Sequence, residues 1–138
     1  MHMRGRPKTM QGTEDISYDD LIGDIGGFLS ERGKRARDAG IREVIIDPGI
    51  GFGKTPAQNF ELLQRLYEFT VLGYPVLVGP SRKSFLGTLP SGLPIEERLE
   101  GTLAAVAVAV MNGASIVRVH DVAEVRRVVE VVDAVLSA

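Results

Sequence analysis

At 138 residues with 44% hydrophobic content, the chain has the material for one domain and no more. A net charge of −2 and a pI near 5.7 give no electrostatic footprint for nucleic acid or an anionic membrane, and both are set aside as partners. The absence of cysteine excludes disulfides and thiolate metal sites and fits a reducing cytoplasm, while no apolar stretch approaches the length of a membrane span or a secretory leader.

The first residues, MHMRGRPKTMQG, are basic and lack a hydrophobic pattern. Arg4 to Met10 reads either as a basic loop at the mouth of a site or as an unstructured start, and His2, close to a terminus that can fray, carries little functional weight. From Tyr18 to Ala39, Leu21, Ile25, Phe28 and Leu29 recur at helical spacing. Gly23, Gly26 and Gly27 oppose that helix by roughly 1 kcal/mol each, and helix remains the reading.

Val44 to Ile46 is β-branched throughout, as in a strand covered on both faces, and it ends at Asp47. Pro48 stops the ladder, and Gly49, Gly51 and Gly53 permit tight turns or a close approach to a ligand. A carboxylate there needs a partner: Asp47 either caps the glycine turn or receives a ligand. The glycine spacing is not the dinucleotide fingerprint, which excludes a nicotinamide cofactor on that ground. Lys54, beside the loop, reads more readily as a solvated charge than as an anion contact.

Phe60, Leu62, Leu63, Leu66 and Tyr67 then mark a second helix, closed by Gly73. Val76 to Val78 is a second strand, followed by Gly79-Pro80-Ser81-Arg82-Lys83-Ser84. Taken singly, Arg82 and Lys83 would be surface charges, but Lys83 opens a short helical turn whose free N–H groups also favour an anion. Leu99 to Val110 is a third helix, buried through the alanine-valine run at 104–109, and Gly113 closes it. Ile116 to Val119 is the third strand, with Arg118 and His120 spaced to share one face. Asp121 suits the N-cap of a last helix, Val122 to Leu136, whose stripe is Val125, Val128, Val129, Val132 and Leu136.

Strands alternating with helices give parallel pairing by right-handed crossovers, in a doubly wound sheet or a barrel segment. The strand ends would then bring a carboxylate, a lysine, an arginine and a histidine to one edge, where α/β proteins bind ligands.

Four segments in this order, MHMRGRPKTMQ, IIDPGIGFGK, VLVGPSRKSFLG and IVRVHDV, resemble successive signatures of the dihydropteroate synthase family. The resemblance implies an α/β fold, the C-terminal half of a (β/α)8 TIM barrel, with about three parallel strands and four main helices. Residues 1–138 would form one partial pterin-binding domain lacking the N-terminal half-barrel. The implied reaction is a transfer: 6-hydroxymethyl-7,8-dihydropterin pyrophosphate condenses with p-aminobenzoate to give 7,8-dihydropteroate and pyrophosphate. By resemblance, Asp47 accepts from the pterin's N–H edge, Lys83 donates to pterin acceptors, and Arg118 lies against the ring and holds phosphate. His120 would bind the leaving pyrophosphate, Met1 and Gly79 would line the pterin pocket, and Phe52 and Ser81 would face p-aminobenzoate, where sulfonamides compete. Lys83, Arg118 and His120 would carry catalysis by positioning and charge stabilisation. Magnesium would be held by an asparagine outside this chain, so no metal ligand is assigned here. The family pattern also implies a cytoplasmic enzyme that pairs as a homodimer through its C-terminal helices.

Three strands leave two sheet edges and an apolar interior uncovered, so the isolated chain is expected to be marginal and inactive alone. The alternatives are a non-catalytic half-barrel that keeps a pterin- and pyrophosphate-contacting face or an assembly role, and a pterin-dependent methyltransferase. The SRKSFLG and RVHDV segments favour the synthase over the methyltransferase.

Overall fold

A computed structural model describes residues 1–4 and 17–138. The part of the basic segment at 5–10 therefore lies outside the described residues. The first helix, α1 (Leu21–Asp38), starts where the Asp20 carboxylate accepts a hydrogen bond from Gly23 N. Leu21, Ile22, Ile25 and Leu29 are buried along it. At about 2 kcal/mol for each buried aliphatic side chain, this face outweighs the cost of the four glycines in the helix, at roughly 1 kcal/mol each.

Helix α2 (Pro56–Gln64) opens on a capping box in which the Thr55 hydroxyl and the Gln58 side chain satisfy each other's backbone N–H, with Pro56 in the first turn. The second predicted helix does not run through Tyr67 as one α-helix. It breaks at Arg65 into a 3-10 helix, Leu66–Leu72, which leaves Tyr67 exposed. Tightening the turn points Leu66 and Phe69 into the core, both nearly inaccessible to solvent. Arg65 fixes the junction from outside, reaching Glu61 at 2.8 Å and Glu68 at 2.6 Å.

The sheet is small. Strand β1 (Leu77–Val78) pairs in parallel with β2 (Ile116–Val117), with Leu77 opposite Ile116 and Val78 opposite Val117. The expected first strand at 44–46 is reduced to one parallel bridge, Ile46 to Val76, on the other side of β1. Ile46 N donates to Pro75 O and Leu77 N donates to Ile46 O, but Pro75 has no N–H with which to extend the ladder. The expectation that this run is covered on both faces is also corrected: Ile46 is buried whereas Ile45 is 51% exposed. The three parallel segments lie side by side in chain order, with 76–78 in the middle.

Helix α3 (Leu99–Met111) is followed by β2 and then by α4 (Val122–Leu136), and α3 and α4 pack on each other. Val106 and Ala109 are buried on α3, Val125 and Val132 on α4, whereas Leu136 of the predicted stripe is exposed. Between β2 and α4 lies an open apolar cleft of about 720 Å³ lined by Leu77, Val117, Val119, Val122, Val125 and Val129. The main core lies under β1, where Ile25, Leu29, Ile46, Leu62, Leu66, Phe69, Val76, Val78 and Phe85 meet. It seats the ends of the three parallel segments side by side, which places the polar groups described next. Among the described residues, no helix is long and apolar enough to cross a membrane.

Candidate functional site

Gly79, Ser81, Lys83, Arg118, Val119 and His120 line one cavity of about 210 Å³ beyond the ends of β1 and β2. Five of these six are residues that the sequence singled out. Arg118 N donates to Val78 O, which continues the β1–β2 register past Val117 and sets the arginine beside Gly79. A Cβ on Gly79 would lie 3.2 Å from an Arg118 guanidinium nitrogen, so the missing side chain is what lets the guanidinium lie against the backbone.

Ser81 and His120 form a unit. Ser81 Oγ accepts from His120 N at 3.2 Å and lies 2.8 Å from His120 Nδ1. When the hydroxyl donates to Nδ1, the ring carries its proton on Nε2 and His120 is a donor to the cavity.

Lys83 stands at the start of a 3-10 helix, Ser84–Thr88. Its ammonium lies 3.9 Å from the centre of the Phe52 ring, a cation–π contact that joins the loop after β1 to the glycine loop. Its pKa is lowered, by burial first and by the Arg118 charge second, with Asp47 opposing both. Two cations held at one cavity favour an anion there.

Arg82 is not the solvated surface charge that it would be in isolation. It adopts a left-handed backbone, φ 55°, a conformation that costs a non-glycine residue about 1–2 kcal/mol. Three contacts hold it: its N–H donates to Thr102 Oγ1 at 3.0 Å, its carbonyl accepts from Arg98 Nη1 at 3.2 Å, and its guanidinium pairs with Asp121 through both carboxylate oxygens. Asp121 does occupy the N-cap position of α4, but its side chain makes no cap hydrogen bond, because the carboxylate is committed to Arg82. That contact also holds its pKa below the usual carboxylate range.

Asp47 is buried, and its Oδ1 accepts from Gly49 N at 2.7 Å. It thus caps the glycine turn, one of the two readings open from the sequence, and its charge also acts on Lys54 and Lys83. Asp47, Phe52 and Met1 lie outside the lining of the 210 Å³ cavity; Phe52 reaches it through Lys83, and Met1 is 53% exposed.

Two residues given little weight are structural parts of this region. Lys54 is buried, not solvated: Nζ donates to Gly49 O at 2.9 Å and Phe52 O at 3.1 Å and lies 3.3 Å from His2 Nδ1. His2 is buried too, its N–H donating to Asp47 O at 2.8 Å and its ring meeting Phe28 edge-on. Arg4 stacks on the Tyr18 ring at 4.4 Å. Asn59 and Thr102 went unremarked in the sequence. Asn59 accepts from Gly51 N at 2.6 Å and donates to Thr55 O at 2.9 Å, so α2 grips the glycine loop. Both are polar residues on otherwise apolar stripes, Asn59 with Leu62, Leu63 and Leu66, and Thr102 with Ala105, Val106 and Ala109, which is the signal that would have found them.

Burial, reinforced by the charges of Lys54, Arg4 and the N-terminus, pushes His2 down from 6.5 to about 4. The folded chain keeps this imidazole neutral while the unfolded chain takes up a proton. The stability contributed by this group is therefore complete above about pH 6.5 and is lost as pH drops toward 4, about 3 kcal/mol in all. Urea titrations between pH 4 and 7 should show that slope, and His2→Phe should flatten it.

A magnesium site does not fit these residues. Lys83 and Arg118 bring positive charge to the cavity, whereas Mg²⁺ requires oxygen ligands, carboxylates above all. Among the described residues no group of three or more His, Asp or Glu is placed to hold a metal ion.

Comparison with known proteins agrees with the geometry. The chain is 47% identical over 140 residues to dihydropteroate synthase of Escherichia coli K12, covering 100% of this chain and 49% of the relative. It is 48% identical to that of Synechocystis, covering 97% and 46%. The chain spans about half the length of the curated relatives it matches. Among solved structures, Yersinia pestis dihydropteroate synthase in a sulfonamide drug complex superposes with a TM-score of 0.93 at 43% identity, covering 99% of this chain and 50% of that one. The Thermus thermophilus enzyme in complex with 4-aminobenzoate superposes with a TM-score of 0.88 at 41% identity, covering 96% and 54%. The fold is thus the expected half of a (β/α)8 barrel. The family profile described as pterin binding enzyme matches residues 1–120, which include every polar group of the cavity, and the chain belongs to that family.

Proposed function

We propose that this chain supplies one half of a dihydropteroate synthase active site, for the condensation of 6-hydroxymethyl-7,8-dihydropterin pyrophosphate with p-aminobenzoate. The observation that carries this reading is the convergence of Lys83, Arg118 and His120 on one cavity, with Ser81 and Gly79 shaping it. In this reading the pterin lies toward Asp47, whose Oδ1 is held by Gly49 N and whose carboxylate faces the ring's N–H edge. Met1 and Gly79 flank it, and Lys83 donates to its acceptor atoms.

The pyrophosphate takes the other side. Arg118 offers a planar fork to its oxygens, and His120 adds the Nε2 edge of a ring that Ser81 orients through Nδ1. As the bond from the pterin methylene to the pyrophosphate oxygen breaks, charge grows on the leaving group, and these donors are already aimed at it. The amine of p-aminobenzoate then bonds to the methylene carbon and loses its proton. Phe52 and Ser81 would stand on that side, Ser81 acting chiefly through the imidazole it holds. Magnesium enters the proposal only as a companion of the pyrophosphate, with ligands outside this chain. A cytoplasmic location and homodimerisation through α3 and α4 belong to the same proposal.

Completion of the site needs a second half-barrel. The apolar cleft beside β2 and α4 supports this, because a parallel strand added to the β2 edge would cover it. Co-expression with the N-terminal half of a related synthase should restore turnover of pterin pyrophosphate and p-aminobenzoate, with neither half active alone. Pterin binding without any restored turnover would instead support the non-catalytic half-barrel.

A further inference from the structure

The glycine loop at 48–53 is closed on itself by a buried ammonium. Lys54 Nζ has three protons and three partners: Gly49 O at 2.9 Å, Phe52 O at 3.1 Å and His2 Nδ1 at 3.3 Å. The His2 ring stays neutral, pushed down to about 4, so Nδ1 is available as an acceptor. The lysine is only 8% exposed, and burial lowers its own pKa to about 8 against the opposing pull of Asp47. Holding a charge there costs folding energy, so its retention calls for a reason other than stability.

The two carbonyls that it grips explain it. Gly49 carries the N–H that holds Asp47 Oδ1 at 2.7 Å, and Phe52 carries the ring on which the Lys83 ammonium rests at 3.9 Å. Both pterin-facing charges are thus oriented by residues whose carbonyls meet at one nitrogen. The third partner comes from the chain's first residues, and His2 N also bonds Asp47 O at 2.8 Å, so the same clasp ties residues 1–4 to the loop.

We infer that Lys54 is a positioning residue that sets Asp47 and Lys83 in their working geometry by drawing the Gly49 and Phe52 carbonyls and the His2 ring onto one ammonium. This rests on reading Asp47 and Lys83 as pterin contacts, but the geometric claim can be tested without a pterin.

The test is amide hydrogen exchange of the 138-residue chain with Lys54 intact, as Lys54→Met and as Lys54→Gln, the last keeping a donor without the charge. Protection of the Gly49 and Gly51 amides should fall about tenfold in Lys54→Met and less in Lys54→Gln. Protection at Leu77 and Thr102, bonded elsewhere in the core, should stay within about twofold. Should Lys54→Met not fold, Lys54→Gln carries the same comparison. A uniform loss at all four amides, or no loss at the two glycines, overturns the inference. Calorimetric titration of the chain reassembled with the N-terminal half of a related synthase, with 6-hydroxymethyl-dihydropterin pyrophosphate, is the second arm, where affinity should fall about tenfold in Lys54→Met. If the unaltered chain reassembled with that half binds no pterin, the proposed function fails while the exchange result still decides the role of Lys54. If it binds and Lys54→Met binds equally, the positioning role fails alone.

Discussion

Arg118→Met should reduce turnover by the reassembled enzyme by about 10²–10³-fold, the scale expected when one preorganised donor to a developing anion is removed. The geometry gives this residue two tasks. Its backbone continues the β1–β2 register through the bond to Val78 O, and its guanidinium lies against Gly79 at the cavity wall. Methionine replaces the aliphatic stem and its packing but not the guanidinium, so the backbone task survives and the charge task does not. A change confined to binding would appear as a higher KM at unchanged kcat, whereas loss of leaving-group stabilisation lowers kcat and kcat/KM together. The second pattern is expected. Arg118 also depresses the pKa of Lys83, so in the variant that amine should titrate closer to its ordinary value. Unchanged kcat with Lys83 shifted would place Arg118 at the cavity but outside the reaction.

The polar strand ends were legible because they combine two local signals. An apolar β-branched run tells roughly where a parallel segment ends, and Arg118 and His120 do reach one cavity. But β2 stops at Val117 rather than Val119, and Val119 lines the cavity with them, so the pleat expected to set them on one face does not extend that far. The loops were legible through their glycines, and the terminal helix through its valines. What could not be read was commitment between distant side chains. Asp121 looked like an N-cap from its place before Val122, and it sits there, but Arg82, 39 positions earlier, takes its carboxylate. Lys54 looked solvated because lysine usually is, and His2 drew little weight because a terminus can fray. Here 52 positions of sequence separate two groups that bury one another. The break at Arg65 was hidden for a different reason: Leu62, Leu63 and Leu66 fit an α-helical stripe, and only the packing of Phe69 and the paired glutamates around Arg65 selects the tighter turn.

Gly49→Ala should destabilise the chain by about 4 kcal/mol or more, an effect reserved for substitutions that collide with fixed backbone. Gly49 has φ 74°, and a Cβ there would lie 1.8 Å from His2 O. His2 cannot retreat cheaply, since its N–H is bonded to Asp47 O and its ring is packed on Phe28. Two other glycines separate the contributions. Gly73 has nearly the same backbone, φ 71°, with nothing within 4 Å of the added carbon, so Gly73→Ala should cost only the conformational term, about 1–2 kcal/mol. Gly51, φ 78°, would put its Cβ 2.8 Å from Lys83 Cδ, a flexible side chain that can move aside. Gly51→Ala should therefore resemble Gly73→Ala in urea unfolding yet displace the Lys83 ammonium from Phe52, weakening pterin affinity where Gly73→Ala does not. If all three alanine variants lost equal stability, backbone conformation alone would account for the glycines, and the close seating of residues 1–4 on this loop would be wrong. A larger loss at Gly49 ties the first residues of the chain to the strand end that holds Asp47.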